Sequence, residues 1–81
     1  MEPTIHSESA RVLQELLVRA RRESGLKQLD VAERLAKTQS FVSDVERGER
    51  RLDVVEFTRF CRAIEADPLR LYAEFITAAA L

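Results

Sequence analysis

Apolar residues recur at spacings of three and four along most of the chain and nowhere alternate with period two for long. That pattern predicts helices and no sheet. Two glycines and two prolines leave few breakers, and punctuation divides the chain into five helices. The first is expected from about Ser9 to Ser24, with Val12, Leu13, Leu16, Leu17 and Ala20 in one stripe and Gly25 as its stop. The second starts at Lys27 or Gln28, carries Leu29, Val31, Ala32 and Leu35, and stops near Ala36. Thr38 is placed to cap the third, which holds Phe41, Val42 and Val45 and ends at Gly48. Asp53, with Glu56 three residues on, opens the fourth as a capping box. Its expected buried face is Val54, Phe57, Phe60, Cys61 and Ile64. Asp67-Pro68 opens the fifth, with Leu69, Leu71, Tyr72, Phe75 and Ile76.

The second and third helices are the informative pair. Each has about two turns, and about three residues join them. Helices this short are marginal alone and need neighbours to persist. Two of them on a tight turn have the form of a helix-turn-helix unit. Val42 and Val45 point one way, towards a core, and Gln39, Ser40, Ser43 and Asp44 point the other. An apolar back with a short polar face suits entry into a DNA major groove.

Composition narrows the function. Eighty-one residues make one domain, which buries only about 60–65% of the surface its unfolded chain exposes, so a partner subunit could matter to stability. With 46% apolar and 33% charged residues the chain is expected to be compact rather than disordered. No run of 18 apolar residues offers a membrane span. The first ten residues lack the form of a secretory signal, and a single cysteine fits a reducing, cytoplasmic setting. One cysteine, Cys61, cannot make an internal disulfide, and with one histidine, His6, it excludes a conventional Cys/His zinc site. No cofactor is expected. There is no Gly-rich phosphate loop and no nucleophile-and-base arrangement, so an enzyme is not expected. Net charge is −1, against a nonspecific nucleic-acid coat protein. Its distribution is uneven, however: residues 11–51 hold ten basic and seven acidic groups, and residues 52–81 hold three and five.

The stretch from Gly25 to Gly48 (GLKQLDVAERLAKTQSFVSDVERG) resembles the helix-turn-helix of the XRE family, which includes lambda-type repressors and Cro proteins. The matching features are Gln28 at the start of the second helix, the small Ala32, the Gln39-Ser40 pair opening the third, and the closing Glu46-Arg47-Gly48. The resemblance extends from about Leu13 through Phe75. It implies a compact all-α, five-helix, lambda-repressor-like DNA-binding domain. On this reading residues 1–8 are a flexible tail, 9–66 the helix-turn-helix DNA-binding domain, and 67–81 a C-terminal dimerisation helix.

By the same resemblance, Gln39, Ser40 and Asp44 meet base edges, and Gln39 can pair bidentately with adenine. Gln28 bonds a phosphate and braces Gln39. Arg47, Arg50 and Arg51, with Lys27, Lys37 and Thr38, are expected along the DNA backbone, where contacts position without carrying sequence information. Ser43 and Phe41 are possible groove contacts. Phe41 has a second reading, folded back over the second helix as core. Arg19, Arg21 and Arg22 are expected as a solvated face rather than as DNA contacts, Cys61 as a buried inert thiol, and His6 without a role.

Three positions depart from the family pattern. Asp44 stands where a basic or amide residue is common, and would either accept from a cytosine amine or weaken binding. Ala36 takes a glycine's place in the turn, which costs roughly 1 kcal/mol if the backbone there is left-handed. Lys27 replaces a capping Ser or Thr, a loss of about 1 kcal/mol. Leu71, Tyr72, Phe75 and Ile76 span more than one stripe, so some are expected to remain exposed as a homodimer interface. A twofold dimer would set two recognition helices roughly 34 Å apart on a pseudo-palindrome. The sequence thus reads as a small dimeric regulator that binds double-stranded DNA. The alternative is a protein-interaction module, such as an antitoxin-type component that binds a partner protein.

Overall fold

The computed structural model describes residues 7–81 and forms five helices: α1 (Glu8–Glu23), α2 (Gln28–Leu35), α3 (Gln39–Glu46), α4 (Val54–Ala63) and α5 (Pro68–Ala78). No strand occurs among the described residues. The tail expected over residues 1–8 gives way by Ser7, whose hydroxyl accepts from the Ala10 amide at 3.1 Å and caps α1. The rest of that tail, His6 included, lies outside the described residues.

Local chemistry explains each start. Thr38 accepts from the Phe41 amide at 3.1 Å and caps α3. Asp53 accepts from the Glu56 amide at 2.7 Å while Glu56 accepts from the Asp53 amide at 2.9 Å, which completes the expected capping box. Asp67 caps α5 ahead of Pro68. Lys27 cannot accept a bond and gives α2 no side-chain cap, but its own amide is taken by Asp30 at 2.8 Å. Half of the capping box therefore survives, on a residue the sequence reading passed over.

All five helices stop in the same way, with a left-handed residue just past the end and a backbone bond reaching back across it. Gly25 and Gly48 fill that place after α1 and α3, and Ala36, Glu65 and Ala80 fill it after α2, α4 and α5. Ala36 lies at φ 56°, ψ 42°, with the Lys37 amide on the Ala32 carbonyl at 2.9 Å. It therefore carries the strain expected of a side chain in glycine's place. At Gly48 an added Cβ would meet only the terminal amide of Gln14, which can swing aside, so the left-handed backbone at φ 80° is what favours glycine there.

The helices close a ring of contacts. α1 packs on α3 and α5, α2 lies between α3 and α4, and α4 packs on α5. The ring encloses Leu16, Leu17, Val31, Ala32, Val42, Val45, Phe60, Cys61, Ala63, Ile64 and Leu71. Cys61 is fully buried and its thiol is pushed up to about 11 by burial, so it is an inert member of the core.

Three expectations about burial are corrected, for Val54, Leu71 and Arg21, and one apolar residue left without an assignment, Leu29, proves exposed. Val54 is 80% exposed: as the first residue of α4 it has no preceding turn to extend the packed stripe over it. Leu29 is exposed because the stripe of α2 centres on Val31, Ala32 and Leu35, roughly 110° of arc away. Leu71, expected at a subunit interface, is buried against the core and is not open to a partner. Arg21, expected on a solvated face, is only 8% exposed. It follows Leu17 by four residues and so continues the apolar stripe of α1 inward.

Candidate nucleic-acid interface

The interface is built outward from the corrected Arg21. Its guanidinium meets the Glu46 carboxylate through Nε at 2.6 Å and Nη2 at 3.0 Å, and donates to the Leu26 carbonyl through Nη1 at 2.8 Å. Both side chains are nearly sealed from water. A two-bonded guanidinium–carboxylate pair with a third hydrogen bond is a geometry in which burial of two charges is tolerated. It ties α1 to the last residue of α3 and to the loop that leads into α2.

Glu46 has a further donor. The Gln28 amide nitrogen donates to Glu46 Oε1 at 2.9 Å. With its nitrogen so engaged, the Gln28 oxygen is turned towards Gln39, whose amide nitrogen lies 3.5 Å away, the outer limit of a hydrogen bond. A continuous polar chain thus runs Arg21–Glu46–Gln28–Gln39, from the core to the exposed first residue of α3. Gln28 thus lies beside Gln39, as the bracing role requires, and its own anchor is a pair of residues to which sequence reading assigned no such part. Glu46 was legible only as part of the Glu-Arg-Gly close. The available signal for Arg21 was its place on an apolar stripe.

On the outer side of α3, Gln39 and Ser40 are exposed, Ser43 and Asp44 are half-buried, and Val42 and Val45 are in the core. The structure therefore brings Gln39, Ser40, Ser43 and Asp44 onto one polar face. Asp44 forms an ion pair with Arg47, the C-cap of α3, so its charge is compensated on that face. Lys27, Lys37 and Thr38 are exposed around the start of α2 and the turn, and Arg47, Arg50 and Arg51 follow at the end of α3. Arg50 is engaged by Glu56, Nη2 to Oε2 at 2.6 Å, and also donates to the Arg51 carbonyl. Glu56 is held below the usual carboxylate range, first by the Asp53 amide and then by Arg50.

Phe41 resolves into a mixed position. It is half-buried and packs against the core, while Lys37 Nζ lies 5.4 Å and Arg50 Cζ 5.2 Å from its ring centre. Arg19 pairs with Glu74 of α5 at 2.8 Å, and Arg22 is exposed.

A second surface lies where α5 meets the start of α4. Leu52, Val54, Phe57, Leu69, Tyr72 and Phe75 line an apolar groove. Leu69 is 83% and Tyr72 52% exposed. Tyr72 stacks edge-on to Phe57 at 6.4 Å and lies tilted against Phe75 at 5.9 Å. Ile76 is half-buried.

Among the described residues no group of three or more His, Cys, Asp or Glu side chains could hold a metal ion. No helix is long and apolar enough to cross a membrane.

Comparison with known proteins fits this geometry. A helix-turn-helix domain family matches residues 13–72. A solved structure of an XRE-family-like protein from Pseudomonas syringae pv. tomato str. DC3000 is 45% identical, with a TM-score of 0.85, over 93% of this chain and 92% of that one. A mutant restriction-modification controller protein shares the fold at 20% identity and a TM-score of 0.80, over 88% of this chain and 95% of its own. The clp gene regulator ClgR from Corynebacterium glutamicum does so at 21% identity and a TM-score of 0.78, over 99% of this chain and 81% of its own. No curated protein matches. The two-turn α2 and α3, locked by a buried ion pair and matched through the family over most of the chain, place this protein among the XRE-type helix-turn-helix regulators.

Proposed function

We propose that this chain is a sequence-specific regulator that binds double-stranded DNA as a homodimer. Each α3 enters the major groove of one half of a pseudo-palindromic operator. Gln39, Ser40 and Asp44 meet base edges, with Ser43 alongside. Gln28, Lys27, Lys37, Thr38, Arg47, Arg50 and Arg51 lie along the backbone. The observation that carries this reading is the polar chain behind α3. An exposed glutamine on a two-turn helix would ordinarily sample many rotamers, at an ordering cost of roughly 1–2 kcal/mol on binding. Here Gln28, fixed by Glu46, offers Gln39 a partner before DNA arrives, which reduces that cost.

The dimer reading rests on the α4–α5 groove, where Tyr72 and Phe75 keep the role first assigned to them and Leu69 and Val54 join them, with Ile76 one turn after Tyr72 on α5. Contiguous exposed apolar side chains on a small domain mark an interface. Leu69→Glu should yield a monomer in sedimentation equilibrium, because Leu69 is too exposed for the change to disturb the core. If the wild-type chain is itself monomeric at tens of micromolar, the groove belongs to a partner protein, the antitoxin-like alternative.

DNA reading is tested by selection from a random duplex library at fixed salt, with the Gln39→Ala, Ser40→Ala double variant as control. The expected result is an enriched palindrome with half-sites about one turn apart, lost in the variant. Folded wild-type protein that enriches no sequence contradicts the proposal.

A further inference from the structure

Phe41 brings together two cations from opposite ends of α3. Lys37 comes from the turn before the helix and Arg50 from the loop after it, thirteen residues later in the chain. Both lie within cation–π range of the one ring, at 5.4 and 5.2 Å. Glu56, bonded to Arg50, already offsets part of the positive charge that these side chains bring to the ring, and an incoming phosphate would be a second anion there. The donors to receive one are present. Lys37 forms no ion pair among the described residues and offers three N–H groups. Arg50 offers five, and its bonds to Glu56 and the Arg51 carbonyl leave part of that set open. Those bonds also fix the orientation of its guanidinium, and the half-buried Phe41 fixes the ring.

We propose that Phe41 is a positioning residue. Its ring holds Lys37 and Arg50 as a preformed clamp on the phosphate backbone beside the half-site read by α3. This inference rests on the DNA-binding reading above and adds to it a role for the ring that is neither core filling nor contact with a thymine methyl. A clamp assembled before binding fixes the register of α3 in the groove without itself selecting sequence.

The test compares wild type, Phe41→Leu, Phe41→Tyr and a protein with pentafluorophenylalanine in place of Phe41. The fluorinated ring keeps its size and packing but loses the negative face that attracts cations, so it serves even if Phe41→Leu fails to fold. Affinity is measured for the selected duplex and for a random duplex over a range of salt. The clamp predicts that the fluorinated ring and leucine weaken both duplexes alike, about fivefold. The slope of log affinity against log salt should become shallower by about one unit, and tyrosine should restore both readouts. An unchanged salt slope overturns the clamp. So does a loss confined to one base-pair position, which makes Phe41 a base reader. Wild-type protein that binds no duplex at all overturns the DNA reading and the clamp together.

Discussion

α3 carries two ion pairs that begin two residues apart and behave as opposites. Glu46 meets Arg21 of α1 in the interior through two hydrogen bonds, and two more hold the pair: Arg21 donates to the Leu26 carbonyl and Gln28 donates to Glu46. Asp44 meets Arg47, the residue just past the end of α3, on the surface, and both side chains are substantially exposed. The chemistry is the same, a guanidinium and a carboxylate, but location reverses the consequence. Removal of one partner from the buried pair strands a charge where water cannot reach it. The exposed pair is exchanged for water at almost no cost, and contributes about 0–1 kcal/mol. The first pair sets where α3 lies. The second can open when a phosphate or a base edge competes for either member. A reading helix needs both, a fixed axis and side chains free to change partners.

The sharpest way to break this contrast is at its buried member. Arg21→Ala should lower stability by about 3–5 kcal/mol in urea denaturation, a large part of what a domain of this size possesses. A loss below about 1 kcal/mol would mean that Glu46 finds water and that the pair is not a structural anchor. Gln39→Ala should leave stability unchanged and weaken the selected site by about 1–3 kcal/mol, with relaxed preference at one base pair. A loss that is uniform across all sequences would assign Gln39 to the backbone instead.

Ala36→Gly probes the strain in the turn between α2 and α3. Relief of the left-handed conformation outweighs the added freedom of the unfolded chain, so a gain of about 0.5–1 kcal/mol is expected. A destabilised variant would show that the Ala36 methyl packs against something. At the exposed pair, Asp44→Asn should change stability by less than about 0.5 kcal/mol yet tighten binding to random duplex, since it frees Arg47 and removes a negative charge near phosphates. Unchanged affinity for random duplex would place Asp44 away from DNA. Glu56 gives the smallest effect. Its carboxyl is held below its ordinary value of 4.5, so its contribution is present above that value and lost as pH falls through the folded one. The destabilisation caused by Glu56→Gln should therefore shrink as a pH series descends below 4.5; a constant difference would trace it to packing.

The same contrast explains what was legible in the sequence. Helix positions and starts followed from local signals: the stripes of α1 and α4, Thr38, Asp53 and Asp67-Pro68. The polar face of α3 was legible because Val42 and Val45 fix its back. Leu71 and Val54 were misplaced because period alone identifies a stripe but not where neighbouring helices end. Arg21 was misplaced because its charge was read before its position, although four residues after Leu17 it had to point inward. Glu46 needed both α1 and α2 to gain its role, and no local pattern carries a contact between residues 21 and 46. Phe41 remained open between two readings because its cationic neighbours come from segments that only the fold brings together.

The central claim is that the buried pair, acting through Gln28, prepares Gln39 for base reading. A double-mutant cycle of Gln28→Ala and Gln39→Ala, measured as affinity for the selected duplex with folding checked for each variant, tests it most directly. Coupling of about 0.5 kcal/mol or more between the two positions is predicted, with the double variant losing less than the two single losses together. Strict additivity would show that Gln39 reads DNA without help from the chain behind it, and would contradict the account.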